Sequence, residues 1–456
     1  MKPHRCLCAM TAAVCVVASS ASGCEKAPAQ RPAPPSMLHA PQPAPGSGVA
    51  SPGANQSAPP STPDAPAVPN SQESQEQAMR SVTDGNNAFA LALYRQLAGG
   101  DAKANIFVSP YSISSALAMT YAGAEGETAS QMQRTLRFPP DESIVHLGFK
   151  RLHEALDAVG AGGDADGRVT LSTGNRIWVD EGFDLLTAFT KLLDEHYGSG
   201  VGEVNFTGAH ESARQTINAW IAEQTRQKIE ELLKEGDVSP QTALVLTNAI
   251  HFKGDWLTQF DPEDTREQTF HAADGSTVQV PMMSLKAEFA HAQQDGVHVI
   301  DLPYAGERLA MTLIVPMERG GLPAVETDLT PERLNAWLEG LGEREVQVFL
   351  PRFSNRYRME LQPVLSTMGM PIAFGGSADF SGMTGRRNLF ISKVIHEAVI
   401  DVNEEGAEAA AATGVVMKRT AMGPVVRCDH PFLYLIRDRE TNAILFMGRL
   451  AKPESA

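Results

Sequence analysis

The 456-residue sequence has few cysteines, and almost all of them lie in one place. Four of the five fall within the first 24 residues, and Cys428 is the only cysteine in the rest of the chain. A single cysteine forms no intramolecular disulfide, and nothing around Cys428 has the spacing of a zinc site. We therefore predict no disulfide framework and no metal. Cys428 is interpreted as a small buried apolar side chain, with a catalytic thiol as the alternative.

An excess of positive charge is also missing. The formal net charge is −16 at pH 7, and no run rich in lysine and arginine interrupts the acidic composition. Binding to nucleic acids and other polyanions depends on such clusters of positive charge. We therefore expect no nucleic-acid partner.

Motifs of common enzyme sites are missing too. The chain has no Gly-x-Ser-x-Gly and no Walker loop, and no strand–helix junction carries Gly-x-Gly-x-x-Gly. His153-Glu154 and His396-Glu397 both lack the second histidine of a zinc-protease motif. We expect that the protein is not an enzyme and needs no cofactor. A hydrolase is kept as a minor hypothesis, which turnover of ester or peptide substrates would test.

The first 23 residues have the pattern of a signal peptide. A short basic start is followed by an apolar run to Val17 and then by small residues, and the apolar run is too short to span a membrane. The segment ends in Ala-Ser-Gly-Cys, which resembles a bacterial lipobox, although Ala21 stands where leucine is usual. We expect lipidation of Cys24, an anchor to a bacterial membrane and an extracytoplasmic location. The alternative is ordinary cleavage and secretion.

Residues 24–80 read as a disordered linker. Thirteen of the 30 prolines lie between Pro28 and Pro69, and no Ile, Phe, Tyr or Trp precedes Phe89. Such a composition buries too little apolar surface to offset the entropy of ordering, and its prolines keep it extended. We interpret it as a spacer in front of a globular domain over residues 81–456.

The domain mixes strand-like and helix-like segments without a regular βαβ alternation, which predicts an α+β fold. Helical patterns cover residues 87–97, 183–197, 213–228 and 363–369, and a further helix is expected to start after Ser109 with Pro110 at its first position. Strand patterns cover residues 172–179, 202–206, 243–256, 279–283, 297–302, 310–316, 345–353, 389–402 and 441–450.

A run of small residues near the C-terminus stands out, in residues 402–422 (VNEEGAEAAAATGVVMKRTAM). Alanine favours helix, but Gly406 and Gly414 leave only seven residues between them, too few for a helix that stands alone. One interpretation is an exposed alanine-rich loop. The other is a loop whose side chains stay small because they must later fit a tight place.

Four polar residues lie in apolar surroundings. Asn248 and His396 interrupt strand-like runs, and Ser109 and Ser112 lie at a helix start. A buried polar group without a partner costs about 1–3 kcal/mol. Either each residue is satisfied locally, or the four meet in one network that fastens two strands together and can be reopened.

Matching motifs along the domain resemble the serpin family. They are 105–128 (NIFVSPYSISSALAMTYAGAEGET), 247–256 (TNAIHFKGDW), 280–283 (VPMM), 350–353 (LPRF), 378–383 (ADFSGM), 391–412 (ISKVIHEAVIDVNEEGAEAAAA), 430–432 (HPF) and 446–449 (FMGR). Each motif is weak alone, but their order and spacing from about residue 81 to 452 are specific.

This resemblance implies three β-sheets, eight or nine helices and an exposed reactive-centre loop. It also implies a monomeric inhibitor whose loop is cleaved by a serine protease and then inserts into the central sheet, trapping the acyl-enzyme. The four buried polar residues match the family's shutter region, and Trp256 matches the breach at the top of the sheet. The hinge positions are Glu404, Gly406, Ala407, Glu408, Ala409, Ala410, Ala411 and Ala412.

The hinge suits insertion, because alternate residues of a strand share one face. Ala407, Ala409, Ala411 and Thr413 fall on one such face, and all four are small and uncharged. Non-inhibitory serpins usually carry bulky or charged hinge residues, so a binding module is the alternative function.

Two peptide bonds are candidates for cleavage. In the family, the bond usually lies fourteen residues beyond the hinge glycine, which places it at Thr420–Ala421 and suits an elastase- or subtilisin-like protease. Cleavage at Arg419–Thr420, after Lys418-Arg419, suits a trypsin-like protease.

Overall fold

The structure is a computed structural model that describes residues 71–162, 169–198, 200–407 and 423–454. Ten α-helices lie in these ranges: α1 Gln72–Ala98, α2 Pro110–Tyr121, α3 Gly126–Leu136, α4 Glu142–Gly162, α5 Thr187–Tyr197, α6 Phe206–Gln224, α7 Leu322–Asp328, α8 Pro331–Glu339, α9 Gln362–Met368 and α10 Ser381–Thr384. Short 3-10 turns occupy Pro262–Asp264 and Pro371–Phe374.

Fifteen strands lie in the same ranges. They are β1 Ile106–Val108, β2 Val169–Asp180, β3 Gly202–Val204, β4 Leu244–Asp255, β5 Arg266–His271, β6 Thr277–Gln294, β7 Val297–Pro303, β8 Leu309–Pro316, β9 Gly342–Pro351, β10 Phe353–Glu360, β11 Lys393–Val402, β12 Gly406–Ala407, β13 Val425–Arg427, β14 Phe432–Asp438 and β15 Ile444–Leu450. The predicted α+β class is confirmed.

The first helix begins earlier than the composition suggests. Helix α1 starts after Ser71, whose side chain caps the backbone N–H of Ser74, whereas the linker was expected to continue to Arg80. Ala78 is buried, and the helix lies so close to α4 that a Cβ on Gly148 would clash with the Ala78 carbonyl. Tertiary packing and the cap therefore make residues 72–80 helical, although their composition shows no apolar periodicity.

A six-stranded sheet carries the features that matter for function. Its order is β10-β11-β4-β2-β3, and β12 pairs with β4 beside this path. Strands β4 and β11 are parallel neighbours, whereas β2 and β10 run antiparallel to them. The β4–β11 pairing, in which two adjacent strands are parallel inside an otherwise mostly antiparallel sheet, is called the seam.

A nine-stranded sheet forms the second layer, in the order β1-β15-β14-β8-β7-β6-β9-β13, with β5 paired to β6. Two hydrogen-bonded sheets are thus present in the described ranges where three were expected. Strand β6 is 18 residues long, and it pairs with β5 at its start and with β7 at its end. Its length joins two groups of strands into one continuous sheet. The described helices number ten where eight or nine were expected.

Apolar residues pack against both faces of the seam. On one face, Ala249 and Val399 share a core with Ile217 and Ile221 of α6. On the other face, residues such as Ile250 and Ala398 share a core with the nine-stranded sheet. The seam is therefore buried on both sides, as its nearly continuous apolar sequence predicts. No helix among the described residues combines the length and apolar character needed to cross a membrane.

Candidate functional site

A row of polar side chains crosses the middle of the six-stranded sheet. Asn248 of β4 lies opposite Asn175 of β2 on one side and opposite His396 of β11 on the other. Because residues in register on adjacent strands share a face, the three side chains are neighbours. Asn248 and His396 are both fully buried.

The start of helix α2 meets this row. The Oγ of Ser109 accepts from the N–H of Ser112 at 3.2 Å and so caps the helix, and Pro110 occupies the first turn as expected. The same Oγ donates to the Leu445 carbonyl of β15 at 2.7 Å. Both serines are fully buried, and the cap places their polar groups beside the seam.

Side-chain hydrogen bonds connect the helix start to the strands. The Asn248 amide donates to Ser112 Oγ and to Asn175 Oδ1, each at 2.7 Å. Ser112 Oγ donates to Asn175 Oδ1 at 2.8 Å. His396 Nδ1 donates to Asn248 Oδ1, and His396 Nε2 accepts from the Ser109 N–H at 3.2 Å. The four residues that the sequence singled out thus form one network, to which Asn175 also belongs.

The network fixes the protonation state of His396. Its Nδ1 faces an amide oxygen and must donate, whereas its Nε2 faces a backbone N–H and must accept. A proton on Nε2 would direct two N–H groups at each other. Burial of the ring lowers the pKa of His396 to about 3, so the imidazole is neutral at physiological pH.

This network closes the seam from one side. Strands β4 and β11 pair over seven residue positions, from Lys393 opposite Val245 to Val399 opposite His251, and the Asn248–His396 hydrogen bond lies at the centre of that range. The bond joins side chains of the two strands and adds to their backbone pairing. Opening the seam requires that this bond break.

Beyond the C-terminal end of the β4–β11 pairing the two strands separate, and the segment that contains β12 lies against β4. The β4–β11 pairing ends at Val399, three residues before β11 itself ends. Beyond it, the two residues of β12 pair antiparallel with β4, Gly406 opposite Asp255 and Ala407 opposite Gly254. The start of the small-residue stretch therefore already lies against the strand at the edge of the seam.

Glycine is required at the first position of β12. Gly406 has a φ of +141°, and an added Cβ would lie 2.1 Å from the Gly254 carbonyl oxygen. Side chains with a Cβ rarely adopt such a φ. The turn before it is held by Asn403, whose Oδ1 accepts from the N–H groups of Glu405 and Gly406 at 3.1 Å each.

Trp256 follows β4 directly and holds this turn from the other side. Its indole N–H donates to the Asn403 carbonyl at 3.0 Å, and its backbone N–H donates to the Glu405 carbonyl at 2.9 Å. The ring stacks on Tyr304, with centroids 4.6 Å apart and planes 8° from parallel. The indole therefore packs at the place where β4 and the turn diverge.

Glu404 anchors the turn through a charged contact. Its carboxylate accepts from Arg352 at 2.5 and 3.1 Å and from Thr265 Oγ1 at 2.7 Å, although the residue is only 4% exposed. Burial acts to raise the pKa of this carboxyl, but the hydrogen bonds from Arg352 and Thr265 outweigh burial and lower it. Glu404 is therefore ionised at neutral pH.

The remaining predicted positions fall outside the described residues. They are Cys24, Glu408, Ala409, Ala410, Ala411, Ala412, Thr413, Arg419, Thr420 and Ala421. Cys428 is fully buried, and burial raises the pKa of its thiol, which does not favour a catalytic thiol.

Several contributors were not identifiable from the sequence alone. Asn175 lies in a polar stretch of β2 that gives no sign of burial, and Arg352, Thr265 and Asn403 are separate surface-like polar residues in sequence. Their pairing with the network or with Glu404 follows from strand register. Over the described ranges, no cluster of three or more His, Cys, Asp or Glu side chains could hold a metal ion.

Comparison with known proteins gives a consistent result. The family model described as "Serpin (serine protease inhibitor)" matches residues 84–453. A leukocyte elastase inhibitor of Bos taurus is 41% identical over 385 residues, which cover 82% of this chain and 100% of the relative. Serpin B8 of Homo sapiens is 41% identical over 382 residues, with the same two shares.

Solved structures agree with these relatives. Uncleaved ovalbumin matches with a TM-score of 0.74 and 30% identity, covering 82% of this chain and 100% of ovalbumin. Human thyroxine-binding globulin matches with a TM-score of 0.75 and 30% identity, covering 83% of this chain and 100% of the globulin.

Proposed function

Because the chain belongs to the serpin family, we propose that it inhibits serine proteases irreversibly, as a suicide substrate whose cleaved loop inserts into the seam. One observation carries this proposal: β12 pairs antiparallel with β4 directly above a parallel β4–β11 pair. A chain that continues from β12 down the seam would run antiparallel to both strands. A binding module without inhibition is not favoured, since a relative 41% identical is named as an elastase inhibitor.

Insertion is favourable because it adds a fully paired strand. Antiparallel pairing on both sides replaces one parallel ladder with two ladders. About ten additional backbone hydrogen bonds, at roughly 1 kcal/mol each, give on the order of 10 kcal/mol. That free energy is comparable with the stability of a whole domain, which is sufficient to distort a protease that is still bound to the loop.

The hinge side chains support the same proposal. Ala409 and Ala411 follow Ala407 on one face of the continued strand, and they would enter the buried interior beside the network. Small side chains there avoid the steric cost of filling a packed core. Glu408 would lie on the opposite face.

Incubation with trypsin, elastase and subtilisin tests the proposal. The ester between the protease serine and the cleaved loop should give a band on SDS gels with the combined mass of the protease and most of the inhibitor. The test uses the full-length chain at equal molar ratio, with a protease inactivated at its serine as the control. If every protease cleaves the loop and keeps its activity, the proposal fails.

The proposed reactive bond is Thr420–Ala421, with Arg419–Thr420 as the alternative. The fourteen-residue count from Gly406 supports the first bond, and the basic pair Lys418-Arg419 supports the second. The first bond implies an elastase- or subtilisin-like target, and the second implies a trypsin-like target. Mass spectrometry of the released C-terminal fragment distinguishes them, since the fragment starts at Ala421 in one case and at Thr420 in the other.

We also propose that the inhibitor is a monomer, anchored by a lipid on Cys24 outside the cytoplasm of a bacterial cell. Support comes from the apolar leader and the Ala-Ser-Gly-Cys ending, both of which precede the region matched by the family model. Mass spectrometry of the mature N-terminal peptide should show an acylated Cys24, and Cys24→Ser should release the protein from the membrane fraction. An unmodified N-terminus at another residue would overturn the anchor and leave the inhibitory proposal untouched.

A further inference from the structure

A cleft of about 680 Å³ opens between β2 and the helices α2, α4, α5 and α6. This volume is in the range of small-molecule sites. The cleft lies at the outer edge of β2, where β3 pairs only with residues Trp178–Asp180. It is separate from the hinge, the turn and Trp256.

Aromatic rings form much of the cleft wall. Tyr111, His153, His196, Tyr197 and Trp220 all line it. Burial lowers the pKa of His153 to about 4, and burial and the nearby His146 lower the pKa of His196. Both imidazoles are therefore neutral near pH 7, so these two rings add no positive charge, and the Arg176 guanidinium packs over the Trp220 ring, 5.2 Å from its centroid.

Carboxylates outnumber cations around the opening. Glu154, Asp157, Asp194 and Glu195 line the cleft together with Lys150 and Arg226. Glu154 is paired with Arg151 at 2.5 Å, which leaves three carboxylates facing two cations. Aromatic faces and carboxylates both attract organic cations, and neither attracts organic anions.

The cleft reaches the network that closes the seam. Asn175 lines the cleft, and its Oδ1 accepts from both Ser112 and Asn248. Ser115 of α2 also lines the cleft, where its Oγ is 3.0 Å from His153 Nε2. An occupant therefore touches both β2 and α2, the two elements that the network joins to β4.

We propose that this cleft is a regulatory site for a small aromatic ammonium compound, and that its occupancy slows opening of the seam. The ammonium group lies at the carboxylate side of the opening, and the ring packs among the aromatic side chains. The bound compound holds the start of α2 in place, where Ser112 accepts from Asn248 of β4 and the Ser109 N–H donates to His396 of β11, so that α2 continues to bridge the two strands of the seam. The regulatory part rests on the proposed loop insertion, whereas the binding part does not.

Binding is tested on the full-length protein with 2-phenylethylammonium, and phenylacetate serves as the probe of equal size and opposite charge. Isothermal titration and ligand-observed NMR should show saturable binding of the ammonium and at least tenfold weaker binding of phenylacetate. Leu171→Trp, which fills the cleft from β2, should abolish ammonium binding. Thermal unfolding checks that this variant is folded.

A second pair of variants tests whether the carboxylates at the opening contribute to binding. The double substitution Asp194→Asn with Glu195→Gln should weaken ammonium binding severalfold, whereas Glu203→Gln, an exposed acid of β3 outside the cleft, should leave it unchanged. Equal affinity for both probes, or unchanged ammonium affinity in folded Leu171→Trp, would overturn the site.

The effect of the bound compound on insertion is measured as the number of inhibitor molecules consumed for each protease molecule inhibited. Saturating 2-phenylethylammonium should raise that number severalfold in the original protein and leave it unchanged in Leu171→Trp, which also controls for effects on the protease. Binding without this change would overturn the regulation and leave the binding site standing. Failure to inhibit any protease would count against the proposed function, and the titrations would still decide on the site.

Discussion

His396 is the residue of the network whose contribution to closing the seam depends on its protonation state. Its ring donates to Asn248 on one strand and accepts from Ser109 at the helix start, so only the neutral form with a proton on Nδ1 satisfies both partners. A doubly protonated ring would lose the contact with Ser109. The stability of the sheet therefore depends on pH through this residue, whereas a side chain that cannot be protonated would add no such dependence.

We expect acid to destabilise the protein through His396. The folded pKa of about 3 lies below the ordinary value of about 6.5, so at intermediate pH the unfolded chain holds a proton that the folded chain does not. The stabilisation from neutral His396 is complete above about pH 6.5 and is lost as the pH falls from there toward 3.

Urea unfolding at pH 7, 6 and 5 measures this effect. His396→Gln should be less stable than the original protein at pH 7, by about 1–3 kcal/mol, because it loses the bonds to Asn248 and Ser109. Its loss of stability on acidification should be smaller, whereas His153 and His291, whose pKa values burial also lowers, titrate alike in both proteins. Equal slopes with pH would contradict this interpretation.

Gly406 provides a second test at the residue scale. Gly406→Ala places a methyl group against the Gly254 carbonyl at a φ that alanine rarely adopts, so β12 should detach from β4. We expect severalfold more inhibitor consumed per protease inhibited, because cleavage still occurs but insertion starts late.

Gly376→Ala is the matched control, since an added Cβ there meets no atom within 4 Å and the backbone does not have a positive φ. Titration of a protease with each variant measures how many inhibitor molecules are consumed per protease inhibited. Equal stoichiometry in the two proteins would show that the β12 contact has no part in insertion.

At the scale of elements, β12 is a strand of only two residues, and the proposed insertion depends on the chain that follows it. Its pairing with β4 sets the direction and register in which the following residues would enter the seam. Register in turn assigns alternate residues to opposite faces. Neighbouring residues of the hinge therefore differ in whether their side chains would enter the packed interior, and composition alone does not reveal this difference.

We predict that Ala409→Asp blocks insertion and that Glu408→Asp, one residue earlier, is tolerated. The first side chain would face the packed interior, where an unpaired charge is costly, and the second would keep a carboxylate on the opposite face, level with the partly exposed Lys253 of β4. Titration of a protease should show a severalfold higher inhibitor requirement for Ala409→Asp alone. Similar yields of trapped protease from both variants would sink the alternation argument.

The strands themselves differ in how well the sequence predicts them. The apolar run over residues 243–256 predicts a buried strand, and β4 spans Leu244–Asp255. In contrast, the pattern over residues 279–283 predicts a short strand, yet β6 spans Thr277–Gln294. Polar residues such as Lys286 and Glu288 interrupt the apolar pattern of β6, and its continuation depends on pairing with β9.

Sequence predicts the members of the site better than their contacts. Asn248 and His396 are recognisable because they interrupt apolar runs, whereas Asn175 belongs to a strand that is polar along much of its length. Glu404 and Arg352 are 52 residues apart, so their ion pair depends on how β10 and β11 pair in the folded chain. Long-range register of this kind is not encoded in any local pattern.

At the scale of the whole molecule, the proposed insertion means that the protein gains stability after its loop is cut. The seam is closed by one parallel ladder and one network, and a chain segment of small residues begins at its upper end. If that segment enters the seam, the sheet exchanges the parallel β4–β11 ladder for two antiparallel ladders and keeps the pairings of its other strands. The intact chain is then the less stable of two arrangements, and the uncut loop prevents it from reaching the more stable one.

The most direct test of this account is thermal unfolding of the protein before and after a single cut in the loop. Cleavage between residues 413 and 421 by a protease that is not trapped leaves the rest of the chain intact. A gain on the order of 10 kcal/mol corresponds to a rise in Tm of roughly 10–15 °C for a domain of this size. The account predicts such a rise, and a cleaved protein that unfolds at the same temperature as the intact one would contradict it.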